Sequence, residues 1–474
     1  MSGATVRIAR EEWRWLARSR VALVAGVLLL LLIITATFTS VQKHEAIDEA
    51  RARYQSEQIE QFYNQPDRHP HRMVHYGQYV FRPLAPLAFF DTGVDAYTGN
   101  MVFLEGHRQN SANFAEARQS SLMLRFGQLT PAFVLQTLAP LLIIFLAFRA
   151  LAGERERGTL RLMLAQGISA RQIVSGKLIA HAAVAGAIVL PALLALTIMS
   201  ASSGASAQAL LIILGYCAYL IVWTLMALVL SALVPRARDA LLALVALWMV
   251  TVVLLPRGLP ELVAASQTLP TRIETEVAIG RDLKAIGDSH DPDDPYFNDF
   301  KMEVLARYGV SDVQDLPVQY AGLVAMEGER LTSDLFNRYA ADANAREDRQ
   351  NALVRTFGLA SPLIAVRQLS MTLAGTDLDN HQDFLSQVES YRYSFVQHLN
   401  RMQAEQIPAV NPGEDPRIDA SNWLEVPGFA YVAPNPLAYA GGRIAQSFGI
   451  LAAWLAGLAC LLILAARRLE RIAR

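Results

Sequence analysis

Six stretches of this sequence are apolar for long enough to cross the hydrocarbon core of a bilayer. Each must be helical there, because lipid offers no water to satisfy backbone N–H and C=O groups. They lie within 21–40, 131–148, 178–200, 209–234, 240–256 and 444–466. The first is too long for a signal-peptide core, and Thr35 to Gln42 has no clear small-x-small cleavage site, so it reads as a mature span. Between the runs lie two polar stretches, 41–130 and 257–443, with the composition of soluble protein. With 53% hydrophobic and 18% charged residues in 474, the chain is too apolar to be soluble throughout. The expected fold class is an all-α polytopic membrane protein: six transmembrane helices plus a mostly helical extracytoplasmic domain built from two segments.

Basic residues set the direction, since the side that retains Lys and Arg is normally cytoplasmic. Arg7, Arg10, Arg14, Arg18 and Arg20 precede the first span, and Arg149, Arg155, Arg157, Arg161, Arg171 and Lys177 separate the second from the third. Arg236 and Arg238 join the fourth to the fifth, and Arg467, Arg468, Arg471 and Arg474 close the chain. All fall on one face of a six-span protein, so both termini are expected in the cytoplasm and both polar stretches outside. Arg257 and Arg443 are exceptions at the borders of the second stretch. The net charge of -1 is a sum over two compartments and says little.

Segment 1–20 mixes Val6, Ile8, Trp13, Trp15 and Leu16 with Arg10, Glu11, Glu12, Arg14 and Arg18. Such a pattern suits a helix lying in the interface with its tryptophans at headgroup level. The alternative is a tail that is merely basic.

The connection 149–177 is the most informative part of the chain. It runs from a charged stretch with Glu154 and Glu156 to a Gly158-Thr159 break and a short helix with Leu160, Met163 and Leu164 on one face. A second break at Gly167-Ile168-Ser169 leads to a basic return through Arg171 and Lys177. A hairpin of this kind can present a small amphipathic helix to a soluble partner; a solvated loop would also be basic. The string Glu-x-Gly-Thr-Leu, a short helix, then Gly-Ile-Ser-x-Arg-x-Ile-x-x-Gly-Lys resembles the coupling-helix region of ABC-2 type transporter permeases. The 12–20 segment resembles that family's elbow helix. Many members carry Pro where Gly167 stands, and Gly supplies a turn equally well.

The outer stretches extend the likeness. His69-Pro70-His71, His75-Tyr76-Gly77, Phe90-Asp91-x-Gly93-x-Asp95 and Leu104-Glu105-x-His107 resemble a subgroup of these permeases with a large DUF3526 extracytoplasmic domain. Ser361-Pro362, Gly375-Thr376-Asp377 and Glu389-x-Tyr391-Arg392 point the same way. The resemblance implies a bacterial inner-membrane subunit without catalytic residues. Its partners would be an ABC nucleotide-binding subunit dimer, which carries ATP and Mg²⁺, and a second permease subunit, identical or homologous. The docking residues it implies are Glu154, Glu156, Gly158, Thr159, Leu160, Met163, Leu164, Gly167 and Arg171, with Trp13, Arg14, Trp15 and Arg18 in the elbow.

No Gly-x-x-x-x-Gly-Lys-Ser/Thr motif occurs; Gly176-Lys177 has Arg171 in place of the first glycine and Leu178 in place of the hydroxyl. No ATP or other cofactor is therefore expected on this chain, and nothing suggests nucleic acid. The two cysteines, Cys217 and Cys460, lie inside apolar runs and form no metal or disulfide framework. His69, His71, His75 and His107, with Glu105, are the best metal-ligand candidates, but their spacing is not diagnostic. Turn and hydrogen-bonding roles are the expectation. Asp288, Asp291, Asp293, Asp294 and Asp299 lack the glycine and closing glutamate of an EF-hand and read as a solvated loop. Gln136 and His181 are the polar residues nearest the membrane interior, where they could line a path, although His181 could also face headgroups. Pro140 and Pro191 are expected to kink their spans.

A helix should continue outward from the first span over Glu45 to Tyr63. Others are expected over 272–286, 299–308, 322–357 and 381–405, followed by an irregular strap with Pro408, Pro412, Pro416, Pro427 and Pro434. The two outer segments are expected to pack together. Transport by a permease pair is the leading expectation. Its rivals are mechanotransmission to a periplasmic partner and a metal-dependent membrane enzyme.

Overall fold

Ser19 separates the first two helices. In the computed structural model, which describes residues 3–112, 129–289, 291, 293–408 and 415–473, α1 (Gly3–Arg18) ends just before it. The Ser19 side chain then accepts a hydrogen bond from Ala22 N at 3.3 Å to start α2 (Arg20–Tyr63). From Val27 to Gln65 the chain has neither Gly nor Pro, so α2 passes from its apolar half into its charged half without a break. Pro412 and Arg474, counted above in the strap and the basic tail, lie outside the described residues.

The first polar stretch then forms α3 (Pro70–Tyr76) and an antiparallel pair, β1 (Gln78–Phe81) and β2 (Met101–Leu104), with Gln78 opposite Leu104. The bundle continues with α4 (Pro131–Glu156), the short α5 (Thr159–Ala165), α6 (Ala170–Ser203), α7 (Ser206–Leu233) and α8 (Ala237–Ser266). The second polar stretch is helical: α9 (Arg272–Ile286), α10 (Pro295–Tyr308), α11 (Tyr320–Thr356), α12 (Pro362–Ala374) and α13 (Leu378–Gln406). Finally α14 (Gly441–Ala473) returns through the bundle.

Six of these helices, α2, α4, α6, α7, α8 and α14, are long and apolar enough to cross a membrane, and the chain is a multi-pass membrane protein. Helix α7 is the central post, its buried side chains including Tyr216, Tyr219 and Trp223, and it packs against α4, α6, α12 and α14. Helix α2 sits at the rim and turns Val21, Leu28, Ile34 and Phe38 outward, as a lipid-facing helix should.

The two polar stretches form one body. Phe62 at the far end of α2, Met73 and Val74 of α3, Phe395 and Leu399 of α13, and Trp423 of the strap share a core. Two features were not foreseen. Helix α12 is apolar on most of its faces and far too short to span, and it is buried against α7 and α14 instead of lying in the outer domain. Two spans also contain π-helical turns, Val134–Leu138 in α4 and Met249–Leu254 in α8, each just ahead of a proline, Pro140 and Pro256.

Candidate functional site

Lys177, on the first turns of α6, is buried and pairs with two carboxylates from different elements. Its Nζ lies 2.5 Å from Glu12 Oε2 on α1 and 2.9 Å from Glu154 Oε1 on the last turns of α4. Arg157 closes on the same Glu154 oxygen at 3.2 Å. Helix α1 reaches this node because Thr5, Ile8, Glu12 and Leu16 share its inner face. Gly176 allows the approach: a Cβ there would stand 2.7 Å from Ile8 Cγ2 and 2.9 Å from Thr5 O. The Gly-Lys pair thus seats α1 on α6 and neutralises what it brings. Burial nevertheless holds the Glu12 carboxyl above its usual range, against the pull of Lys177. Trp13, Arg14, Trp15 and Arg18 are exposed on the remainder of α1.

The hairpin beyond the node is tied to its neighbours at several points. The Thr159 hydroxyl donates to the Glu154 side chain, Glu156 Oε1 accepts from Ala237 N at 2.9 Å, and Arg155 donates to the carbonyls of Ala232 and Val234 at the end of α7. Ala170 N donates to Glu470 Oε1 of α14 at 3.0 Å. Gly158 and Gly167 flank α5 in left-handed backbone, with φ of 74° and 84°. Leu160 is buried in the bundle core, and Met163 and Leu164 pack partly against it. The face of α5 open to a partner is therefore Arg161, Leu162 and Ala165, bordered by Glu156, Arg157, Gly158, Gln166, Gly167 and Arg171.

At the other end of the bundle Gln136 is buried and fully engaged. Its Nε2 donates to Tyr216 Oη at 2.7 Å and to Asp91 Oδ2 at 3.4 Å, and Tyr216 donates onward to Ser370 Oγ of α12 at 3.0 Å. Pro140 brings no N–H to the α4 ladder, and the carbonyl four residues back, Gln136 O, accepts from Tyr219 Oη at 2.7 Å. Asp91 is buried, which pushes its carboxyl up against the hydrogen bonds it receives. Gln136 thus joins α4, α7 and the first polar stretch. His181 stands apart from it, buried on α6 with Nε2 3.7 Å from Glu12 Oε1.

The polar domain carries a second charged cluster. Glu329 of α11 is wholly buried, 2.6 Å from Arg392 Nη1 of α13, and Arg392 also holds Glu389 at 2.7 Å. Glu329 Oε2 accepts from His107 N at 2.9 Å. His107 meets His71 and His75 with one ligand atom of each within 4.8 Å of the others. His69 is not among them; its Nδ1 accepts from His71 N and caps α3. Asp294 caps α10, accepting from Phe297 N at 3.1 Å and from Asp288 N at 3.0 Å.

The geometry defines a multi-pass membrane protein, with six helices among the described residues long and apolar enough to cross a membrane, whose polar domain is bolted to the bundle by a buried helix. Residues 272–432, most of the second polar stretch, match the family model described as Domain of unknown function (DUF3526). No curated protein matches the chain.

Glu12, Lys177, Tyr216 and Glu329 hold these sites together; Glu12 and Lys177 were named from sequence only as members of charged segments, and Tyr216 and Glu329 not at all. Lys177 carried a signal, a lysine at the border of an apolar run and four residues from His181. Glu329 carried none, because one more acidic residue on a charged helix looks solvated until the fold buries it.

Proposed function

We propose that this chain is the membrane-spanning permease subunit of an ABC-2 type exporter in the inner membrane of a bacterium. A separate nucleotide-binding dimer, carrying ATP and Mg²⁺, docks on the cytoplasmic 149–177 hairpin, and a second permease subunit completes the path. The observation that carries the reading is the Lys177 node: one buried ammonium links the interfacial helix, the hairpin and the third span. Force applied to the hairpin then reaches α6 and α1 together, and through Arg155 and Glu156 it reaches α7 and α8. The likeness of the hairpin sequence to coupling helices supports the same reading.

A second reading, mechanotransmission to a partner outside the membrane, is favoured by a different observation. Ser361, which precedes α12, and Ser370 within it bond directly to groups in α8 and α7, so rearrangement of the spans would move the polar domain with them. Gln136, one of the two candidate path-lining residues, is spent on this junction.

The test is co-expression with a candidate nucleotide-binding subunit, comparing wild type with Leu162→Asp and Glu156→Ala for co-purification and ATP hydrolysis. Loss of permease-dependent turnover with retained folding supports docking on the hairpin. Unchanged assembly and turnover in both variants removes the proposal. Substrate flux in reconstituted vesicles then separates export from mechanotransmission.

A further inference from the structure

We propose that His71, His75 and His107 bind one divalent transition-metal cation of the Zn²⁺ class, independently of any role in transport. His71 and His75 are one helical turn apart on α3, and their Nε2 atoms lie 3.2 Å from each other. Tetrahedral Zn²⁺ with bonds of about 2.0–2.1 Å needs ligand nitrogens roughly 3.3 Å apart, so these two already span one edge of such a site. His107 arrives from the loop after β2, and the three ligand atoms all lie within 4.8 Å of one another. Small side-chain rotations bring the third nitrogen to bonding distance. Three neutral imidazoles with an open fourth position for water suit Zn²⁺ or Cu²⁺ and disfavour Ca²⁺ or Mg²⁺, which prefer oxygen.

The surroundings are those of a built site. His107 is in left-handed backbone with φ 62°, the one non-glycine residue so found among those described. Glu329 holds it there by accepting from its N–H, and the same carboxylate oxygen lies 3.5 Å from Nδ1. A carboxylate beside Nδ1 favours the tautomer with its proton there, which offers Nε2 to a metal. Glu329 is itself buried and fixed by Arg392. Gly106 lets the loop come this close to α3, since a Cβ there would meet Val74 Cγ1 at 2.4 Å. His75 is exposed, so a cation can enter from solvent.

A bound cation would clamp the His107 loop onto α3 within the first polar stretch, beside the Glu329–Arg392 pair of α11 and α13. The experiment uses the full chain, purified in detergent, stripped with chelator and titrated with Zn²⁺ alone, then with Co²⁺ for its visible absorption. The expected result is one equivalent bound, a tetrahedral Co²⁺ spectrum and a raised melting temperature. Glu329→Gln should weaken binding about 10-fold. His75→Ala, which removes an exposed side chain and leaves the fold intact, should weaken it more, whereas His398→Ala should not change it. Equal Zn²⁺ uptake by wild type and by the His71→Ala/His75→Ala/His107→Ala variant overturns the proposal. So does a His75→Ala protein of wild-type affinity. Neither result bears on ATPase coupling, which is measured separately.

Discussion

Ser361 Oγ, at the start of α12, donates to the carbonyl oxygen of Thr251 inside α8 at a distance of 2.5 Å. Thr251 lies in a π-helical turn, and the N–H that would reach its carbonyl in that register belongs to residue 256, a proline. The polar domain thus supplies a donor that the span cannot. Ser361→Ala should leave a buried carbonyl unpaired at a cost of about 1–3 kcal/mol. Thermal melting in detergent should show the loss, and Ser361→Thr, which keeps a hydroxyl, should recover part of it. An alanine variant that melts with wild type would mean the bond contributes nothing.

Lys177→Met strips the counter-charge from Glu12 and Glu154 in a buried setting. Removing one partner of a buried ion pair costs about 3–5 kcal/mol, whereas removing both charges costs far less. The double variant Lys177→Met/Glu12→Gln should therefore melt above Lys177→Met alone. If the two effects simply add, Glu12 and Lys177 are not energetically coupled.

The two faces of α5 separate stability from docking. Leu160→Asp places a carboxylate in the core and should lower the melting temperature and the yield of folded protein. Leu162 is exposed, so Leu162→Asp should melt within about 0.5 kcal/mol of wild type while losing the ATPase subunit. A Leu162→Asp protein that still binds and stimulates the ATPase would place the docking surface elsewhere.

Asp377 caps α13 through Asn380 N, accepts from Thr372 and Tyr439, and is pushed up to about 6 by burial, with nearby Asp379 adding to the effect. Its folded pKa lies above its unfolded value, so its contribution to stability is fully present below the unfolded pKa and is lost as pH rises to about 6. Asp377→Asn keeps the cap and removes the titration. Stability measured across that range should fall less steeply with pH in the variant than in wild type. Parallel curves would refute the assignment.

The spans were legible because apolar runs of that length have no other use, and the outer helices because their inward positions recur three to five residues apart. Helix α12 was not. Its sequence from Pro362 to Ala374 is apolar without periodicity and too short to cross lipid, so only the fold shows that it is wedged beside α7. Of the prolines behind the two π-helical turns, Pro140 was read as a kink without its partner Tyr219, and Pro256, whose span is served by Ser361, was not read at all. Many of the quoted outer motifs map to junctions: Arg392 on Glu329, Glu389 on Ser333, Thr376 on the Asp91 carbonyl, and His71, His75 and His107 on one another. Their spacing could not reveal this, since the contacting residues lie far apart in the chain.

Helix α2 is 44 residues long, and at 1.5 Å per residue it measures roughly 66 Å, about twice the hydrocarbon thickness of a bilayer. Its base adjoins α1, and at its tip Tyr63 donates to the Val426 carbonyl at 2.9 Å. A stiff rod anchored at both ends has no joint in which to absorb rotation. A small tilt at the membrane therefore becomes a sweep of several ångströms at Tyr63, and the strap and histidine-bearing helix beside it must travel along or let go.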